Sequence, residues 1–167
     1  MNRKREPYPL STLCGLKNNI DTRPDYQRPA VWKLSNKQLL VDTILRGYDI
    51  PKFYWKENNK DNFEVIDGQQ RIRTIWDFHE NKFKLAKDID QIDDEDISNK
   101  HYKELSINMR KKFDMYLIDI VIVYDVEKDD ETREMFLRLQ NGMPLRAQNK
   151  RHAMVGNMRD FVIKISK

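Results

Sequence analysis

One cysteine, Cys14, stands in a chain of 167 residues. A lone thiol excludes an internal disulfide and any cysteine-cluster metal site, and it is the usage of a reducing, cytoplasmic protein. Histidine is nearly as scarce. His79, His101 and His152 are too widely spread to form a metal-ligand pattern, so no metal site is expected from them. No window approaches the ~18 consecutive apolar residues of a membrane span. The stretch MNRKREPYPL has basic residues with no apolar run behind them, which is not the layout of a signal peptide. Also missing are a Walker lysine, an internal repeat and any Gly/Ser- or Pro-rich linker. Without a linker there is no boundary to place, and residues 1–167 are expected to form a single domain.

What is present is charge and periodicity. Charged residues make up 35% of the chain and hydrophobic ones 39%, and the apolar positions fall in regular blocks, which argues for a folded core. The net charge of +4 permits nucleotide or nucleic acid without demanding either. It is unevenly spread. DIDQIDDEDI (88–97) carries six acids and no base, the pattern of a solvated loop, with Mg²⁺ binding as the sharper alternative. From Pro144 onward, six Lys or Arg face a single acid, Asp160.

The coarse structure is α+β: a small mixed sheet, surrounding helices and a helical C-terminal part. Ser11 is placed to cap a short helix, and Ser35 a longer one in which Leu39, Leu40, Thr43 and Ile44 recur at helical spacing before Gly47. Pro24 and Pro29 keep NNIDTRPDYQRPAVW extended. KFYWKE and FEVID, separated by the turn NNKDN, form a hairpin. Ile72, Ile75, Trp76 and His79 then mark a helix opening near Gly68. KFKLA is a short strand, Ser106 caps a helix, and the Ile- and Val-rich YLIDIVIVYD is a strand. Asp129 or Asp130 caps a last clear helix that Gly142 stops.

The hairpin-to-helix junction reads VIDGQQRIR. Helix-opening N–H groups have no internal partners and lie at the positive end of the dipole. Gly68 permits close approach to the backbone, Arg71 and Arg73 add positive charge, and Gln69 and Gln70 add neutral donors. Together this is phosphate-cradle chemistry. Local physics leaves a plainer account equally open, with Asp67 an N-cap, Gly68 a tight turn and the glutamines ordinary exposed residues.

Four blocks then occur in order: YQRPAVW (26–32), LLVDTILRGYDIPKFYW (39–55), EVIDGQQRIRTI (64–75) and MFLRLQNGMPLRAQNKRHAM (135–154). This series resembles the N-terminal domain of GmrSD-type restriction enzymes and their phage-defence relatives, over residues 10 to 155. The family pattern RLN is RLQNG here, with Gln140 in the asparagine's place. The resemblance implies a ParB- and sulfiredoxin-like fold and an NTP-binding module that hydrolyses NTP in recognising modified or foreign DNA. It implies an NTP as cofactor, with Mg²⁺ as an option. Asp67, Gln70 and Arg71 would be catalytic, and Tyr26, Gln27, Arg28, Gly68, Gln69 and Arg73 would bind the nucleotide. Its partners would be nucleotide, DNA and an HNH-type nuclease domain, separate or fused. No nuclease domain is expected within these 167 residues, and FVIKISK reads as a helix cut short, so stand-alone module, split subunit and fragment all stay open. A non-catalytic module that senses DNA or nucleotide and regulates a partner nuclease is the alternative function.

Remaining residues have plainer readings beside the sharper ones. Trp32 stacks on a base or joins Trp55 and Trp76 in the core. Lys150 and Arg151, with His152, contact nucleic acid or form a solvated basic face. His79 packs on the apolar face of its helix. Cys14 lies away from the glycine turn, so a partly buried, unreactive thiol is expected there.

Overall fold

The Ile/Val run occupies the interior of the sheet. The computed structural model describes residues 1–22, 32–126 and 129–140. Strand β5 (Leu117–Tyr124) lies between β1 (Asn2–Pro9), which it pairs antiparallel, and β3 (Phe53–Asn59), which it pairs in parallel. Strand β3 turns back antiparallel into β4 (Asn62–Asp67), and the two-residue β2 (Ile20–Asp21) adds in parallel at the far edge. The order is β1-β5-β3-β4-β2, a five-stranded mixed sheet of α+β type.

Alternation along the strands divides the core. Phe53, Trp55, Val65, Ile118, Ile120 and Ile122 all face one side. There they meet helices α1 (Leu10–Gly15), α2 (Leu34–Leu45), α3 (Gln69–His79) and α4 (Ile107–Met115). Tyr54, Ile66 and Val123 face the other side and pack with Met135, Leu137 and Leu139 of α5 (Asp129–Gln140).

The hairpin, α3, α4 and β5 fall where the sequence patterns put them. Ser106 caps α4, its Oγ accepting from the Met109 N–H at 3.1 Å. Ser106→Ala is expected to lower stability by about 1 kcal/mol in urea unfolding. The other two serines do not cap. Helix α1 opens at Leu10 behind Pro9, where the Leu10 N–H donates to the Tyr116 carbonyl at 3.1 Å, so a tertiary bond takes the role assigned to Ser11. Helix α2 opens at Leu34, before Ser35. Its buried stripe is Leu40, Val41, Ile44 and Leu45, and Leu39 is 65% exposed.

KFKLA is not a strand. Phe83 and Leu85 do alternate into the core, but among the described residues the segment's ladder-like bonds run to residues 99 and 100 in a loop (Leu85 N–H to Lys100 O, Asn99 N–H to Ala86 O). The acidic stretch is a largely exposed loop held by local bonds such as Asp96 Oδ1 to the Ser98 N–H. Strand β1 was not legible, because its charges and two prolines disguise it. Proline is tolerated at a sheet edge, where the missing N–H faces no neighbour. The extended reading around Pro24 and Pro29 and the Gly142 stop lie outside the described residues.

Candidate functional site: the turn between β4 and α3

Strand β4 delivers Val65 and Ile66, both fully buried, and ends on Asp67. Gly68 follows as the N-cap of α3 at φ +102°, in the left-handed region. A second constraint acts on it. A Cβ built at Gly68 would lie 2.4 Å from Cδ1 of Phe53, a fully buried ring. The space beside this glycine is therefore filled by an aromatic side chain from the neighbouring strand.

Arg71 is engaged inside the protein. Its Nη1 donates to the Pro51 carbonyl, and its Nη2 to the Lys52 carbonyl at 3.2 Å and to Asp67 Oδ2 at 2.8 Å. The guanidinium carbon lies 4.4 Å from the Phe53 ring centroid, a cation–π arrangement. Burial pushes the pKa of Arg71 down, and the adjacent Asp67 carboxylate draws it back up. A guanidinium has five N–H donors, so Nε–H and one Nη1–H remain beyond these three bonds. Arg71 thus ties the turn to the loop that precedes β3. Arg73 makes a similar tie, donating through Nε to Thr22 Oγ1 at 3.0 Å and through Nη2 to Thr22 O at 2.7 Å. It fixes the residue just after β2.

The glutamines differ from their neighbours. Gln69 is 8% exposed. Gln70 Nε2 is buried with no hydrogen-bond partner among the described residues, a costly condition for an amide. It lies in the first turn of α3, where the N-cap glycine makes no side-chain cap and the first intrahelical bond runs from Ile72 N–H to Gly68 O at 3.0 Å.

Beside the turn opens a cleft of about 740 Å³, lined by Asp67 and Arg71 together with Trp32, Asn36, Leu39 and Asp49 among others. Trp32 is half-buried and packs against the core while lining the cleft. Trp55 and Trp76 are core residues, 0% and 6% exposed. His79 packs its ring 4.7 Å from that of Tyr102. Tyr26, Gln27, Arg28, Lys150 and Arg151 lie outside the described residues, as does His152. Among the described residues there is no group of three His, Cys, Asp or Glu side chains that could hold a metal ion. No helix among them is long and apolar enough to cross a membrane.

Sequence reasoning did not find Phe53, Thr22 or the Pro51 and Lys52 carbonyls as parts of this turn. The spacing of Asp67 and Arg71, four residues apart, was the one available signal that the pair would bond to each other.

Cys14 is half-buried, and burial, with Asp114 and Glu80 nearby, pushes its thiol up to about 11. At pH 8 roughly one thiol in a thousand is then ionised. Iodoacetamide should modify the folded protein slowly at pH 8, about tenfold faster per pH unit up to about pH 11, and at an ordinary thiol's rate in urea. Equal rates with and without urea at pH 8 would contradict this environment.

A mixed sheet with a glycine turn opening a helix beside a cleft defines a small α+β domain built around a strand–turn–helix site. The family model for the N-terminal domain of the GmrSD restriction endonuclease matches residues 10–155. The chain belongs to that family, and with it to the modules of restriction and phage-defence systems. No curated protein and no solved structure matches it.

Proposed function

We propose that the chain is the NTP-binding module of a DNA modification-dependent restriction or phage-defence system, that it hydrolyses the nucleotide, and that the phosphates bind at the turn between β4 and α3. The observation that carries this reading is the buried, unpartnered Nε2 of Gln70 in the first turn of α3. A phosphate oxygen would satisfy that donor at the positive end of the α3 dipole. Asp67 and Arg71 shape the turn, and in this reading the remaining Arg71 donors would serve the developing charge. The ParB-like pocket implied by Tyr26, Gln27 and Arg28 belongs to this proposal, as do DNA contact by Trp32, Lys150 and Arg151, a nuclease partner and a cytoplasmic setting.

Mg²⁺ is held by one or two carboxylates plus phosphate oxygens. Asp67 is the carboxylate of the turn and is bonded to Arg71, so the described residues do not assemble a resident metal site, and the ion would travel with the nucleotide. The same ion pair favours a second reading, a non-catalytic module that senses nucleotide or DNA and regulates a partner nuclease, because it engages the one carboxylate of the turn among the described residues.

Calorimetric titration with four NTPs, alongside phosphate release with and without DNA, separates the readings. Saturable binding is expected, weakened about tenfold or more in Gln70→Ala. Steady turnover identifies an NTPase, and binding without turnover identifies a sensor. If no NTP binds, the proposal is wrong.

A further inference from the structure

We infer that Arg73 is a positioning residue of the nucleotide site: it braces the end of β2 against the Gln70 side of α3 and does not itself hold phosphate. The inference rests on the nucleotide reading above and changes the role that the sequence pattern gives this arginine.

Helix geometry separates the two arginines of the motif. Residues two apart on an α-helix point to nearly opposite sides, and residues three or four apart share one. Arg71 and Arg73 therefore diverge, while Gln70, three residues before Arg73, shares its side of α3. The partners agree. Arg71 reaches the carbonyls of Pro51 and Lys52, just before β3, and Arg73 reaches Thr22, just after β2. Strands β3 and β2 flank β4 on its two sides. Strand β3 runs antiparallel to β4 and β2 runs parallel to it. The start of β3 and the end of β2 thus both lie at the end of the sheet where Gly68 turns. Each flank of the turn is braced by one arginine.

The flank at β2 depends on its brace. Among the described residues, β2 pairs with β4 over two positions, Ile20 with Phe63 and Asp21 with Glu64. Arg73 grips the next residue at two points, through Nε to Thr22 Oγ1 at 3.0 Å and through Nη2 to the Thr22 carbonyl at 2.7 Å. Thr22 is 9% exposed. A planar fork that meets a hydroxyl and a carbonyl together fixes direction as well as distance. A binding group is effective only when the residues around it hold it in place. Gln70 is the group that meets phosphate in the reading above, and Arg73 secures the strand end on that side.

Lysine distinguishes a brace from a ligand. It keeps the charge and serves phosphate as a point charge, but its single ammonium cannot reproduce the fork.

The test titrates the 167-residue chain with ATP, GTP, CTP and UTP, in the parent, Arg73→Lys, Arg73→Gln, Thr22→Val and the Thr22→Val/Arg73→Gln double variant. Backbone hydrogen exchange at residues 20–22 is followed in each without nucleotide. Both arginine variants should weaken binding alike, by about threefold to tenfold, and both should speed exchange at residues 20–22. Thr22→Val removes the hydroxyl acceptor and leaves the carbonyl, so it should weaken binding less and add little to Arg73→Gln. Titrations are run below the melting transition of every variant, where a bond that serves stability alone leaves the affinity of the folded protein unchanged. Binding retained in Arg73→Lys and lost in Arg73→Gln makes Arg73 a phosphate ligand and overturns the inference. Parent affinity in both arginine variants, or unchanged exchange at residues 20–22 in both, overturns it as well and leaves the nucleotide reading standing. If the parent binds none of the four nucleotides, the nucleotide reading fails and this inference fails with it.

Discussion

Arg71→Ala should lower the stability of the domain by about 3–5 kcal/mol, the range for breaking a buried ion pair by removing one partner. Arg71 is 9% exposed, and its side chain donates to two backbone carbonyls and to Asp67. Its removal strands the Pro51 and Lys52 carbonyls and leaves Asp67 without the partner at 2.8 Å. Arg71→Lys should recover little of this, because one ammonium on a flexible stem cannot reproduce the planar fork that meets three acceptors. Sequence alone points to weakened nucleotide binding in Arg71→Ala. The structure adds that the binding loss would arrive together with a loss of fold. Thermal and urea melts check this, and a variant within about 0.5 kcal/mol of the parent would show the three bonds to be dispensable.

Gly68→Ala should cost about 2–5 kcal/mol. Holding a non-glycine residue in the left-handed region accounts for about 1–2 kcal/mol, and forcing a methyl against Phe53 for about 1–3 kcal/mol more. The two contributions are separable. Phe53→Leu removes ring atoms near the 2.4 Å approach, so adding Gly68→Ala to a Phe53→Leu background should cost less than adding it to the parent, with the backbone part retained. If the penalty is the same in both backgrounds, the ring is not the obstacle. The glycine of the motif is thus required by the fold, whatever ligand the turn receives.

The elements that the sequence showed clearly are those whose pattern and packing are local. The hairpin, α3 and β5 alternate or repeat at a single period, and Ser106 sits directly before its helix. The misread elements were decided by distant partners. Leu10 gains its cap from the Tyr116 carbonyl, KFKLA has strand-like alternation with no sheet beside it, and β1 is made a strand by β5, more than a hundred residues away. The site divides in the same way. The turn and the Asp67–Arg71 spacing were visible in sequence. Phe53 against Gly68, Thr22 beneath Arg73 and the exposure of Leu39 were not, because each is a relation between segments far apart in the chain. Charge at Arg71 and Arg73 could be counted from sequence, but the internal bonds that engage it could not.

The sheet order has a consequence for synthesis. Strand β1 pairs with β5, which begins 108 residues after β1 ends (117 minus 9). At ribosomal rates of about 5–20 residues per second, β1 emerges roughly 5–20 s before the strand that completes it. Strand β3 waits as well, since its parallel neighbour is the same late strand. For that interval the nascent chain exposes strand edges that could join a neighbouring polypeptide. The composition of β1 guards against this: Arg3, Lys4 and Arg5 repel a second copy, and Pro7 and Pro9 interrupt the donors of a ladder. The features that hid β1 in the sequence protect it until its partner is made.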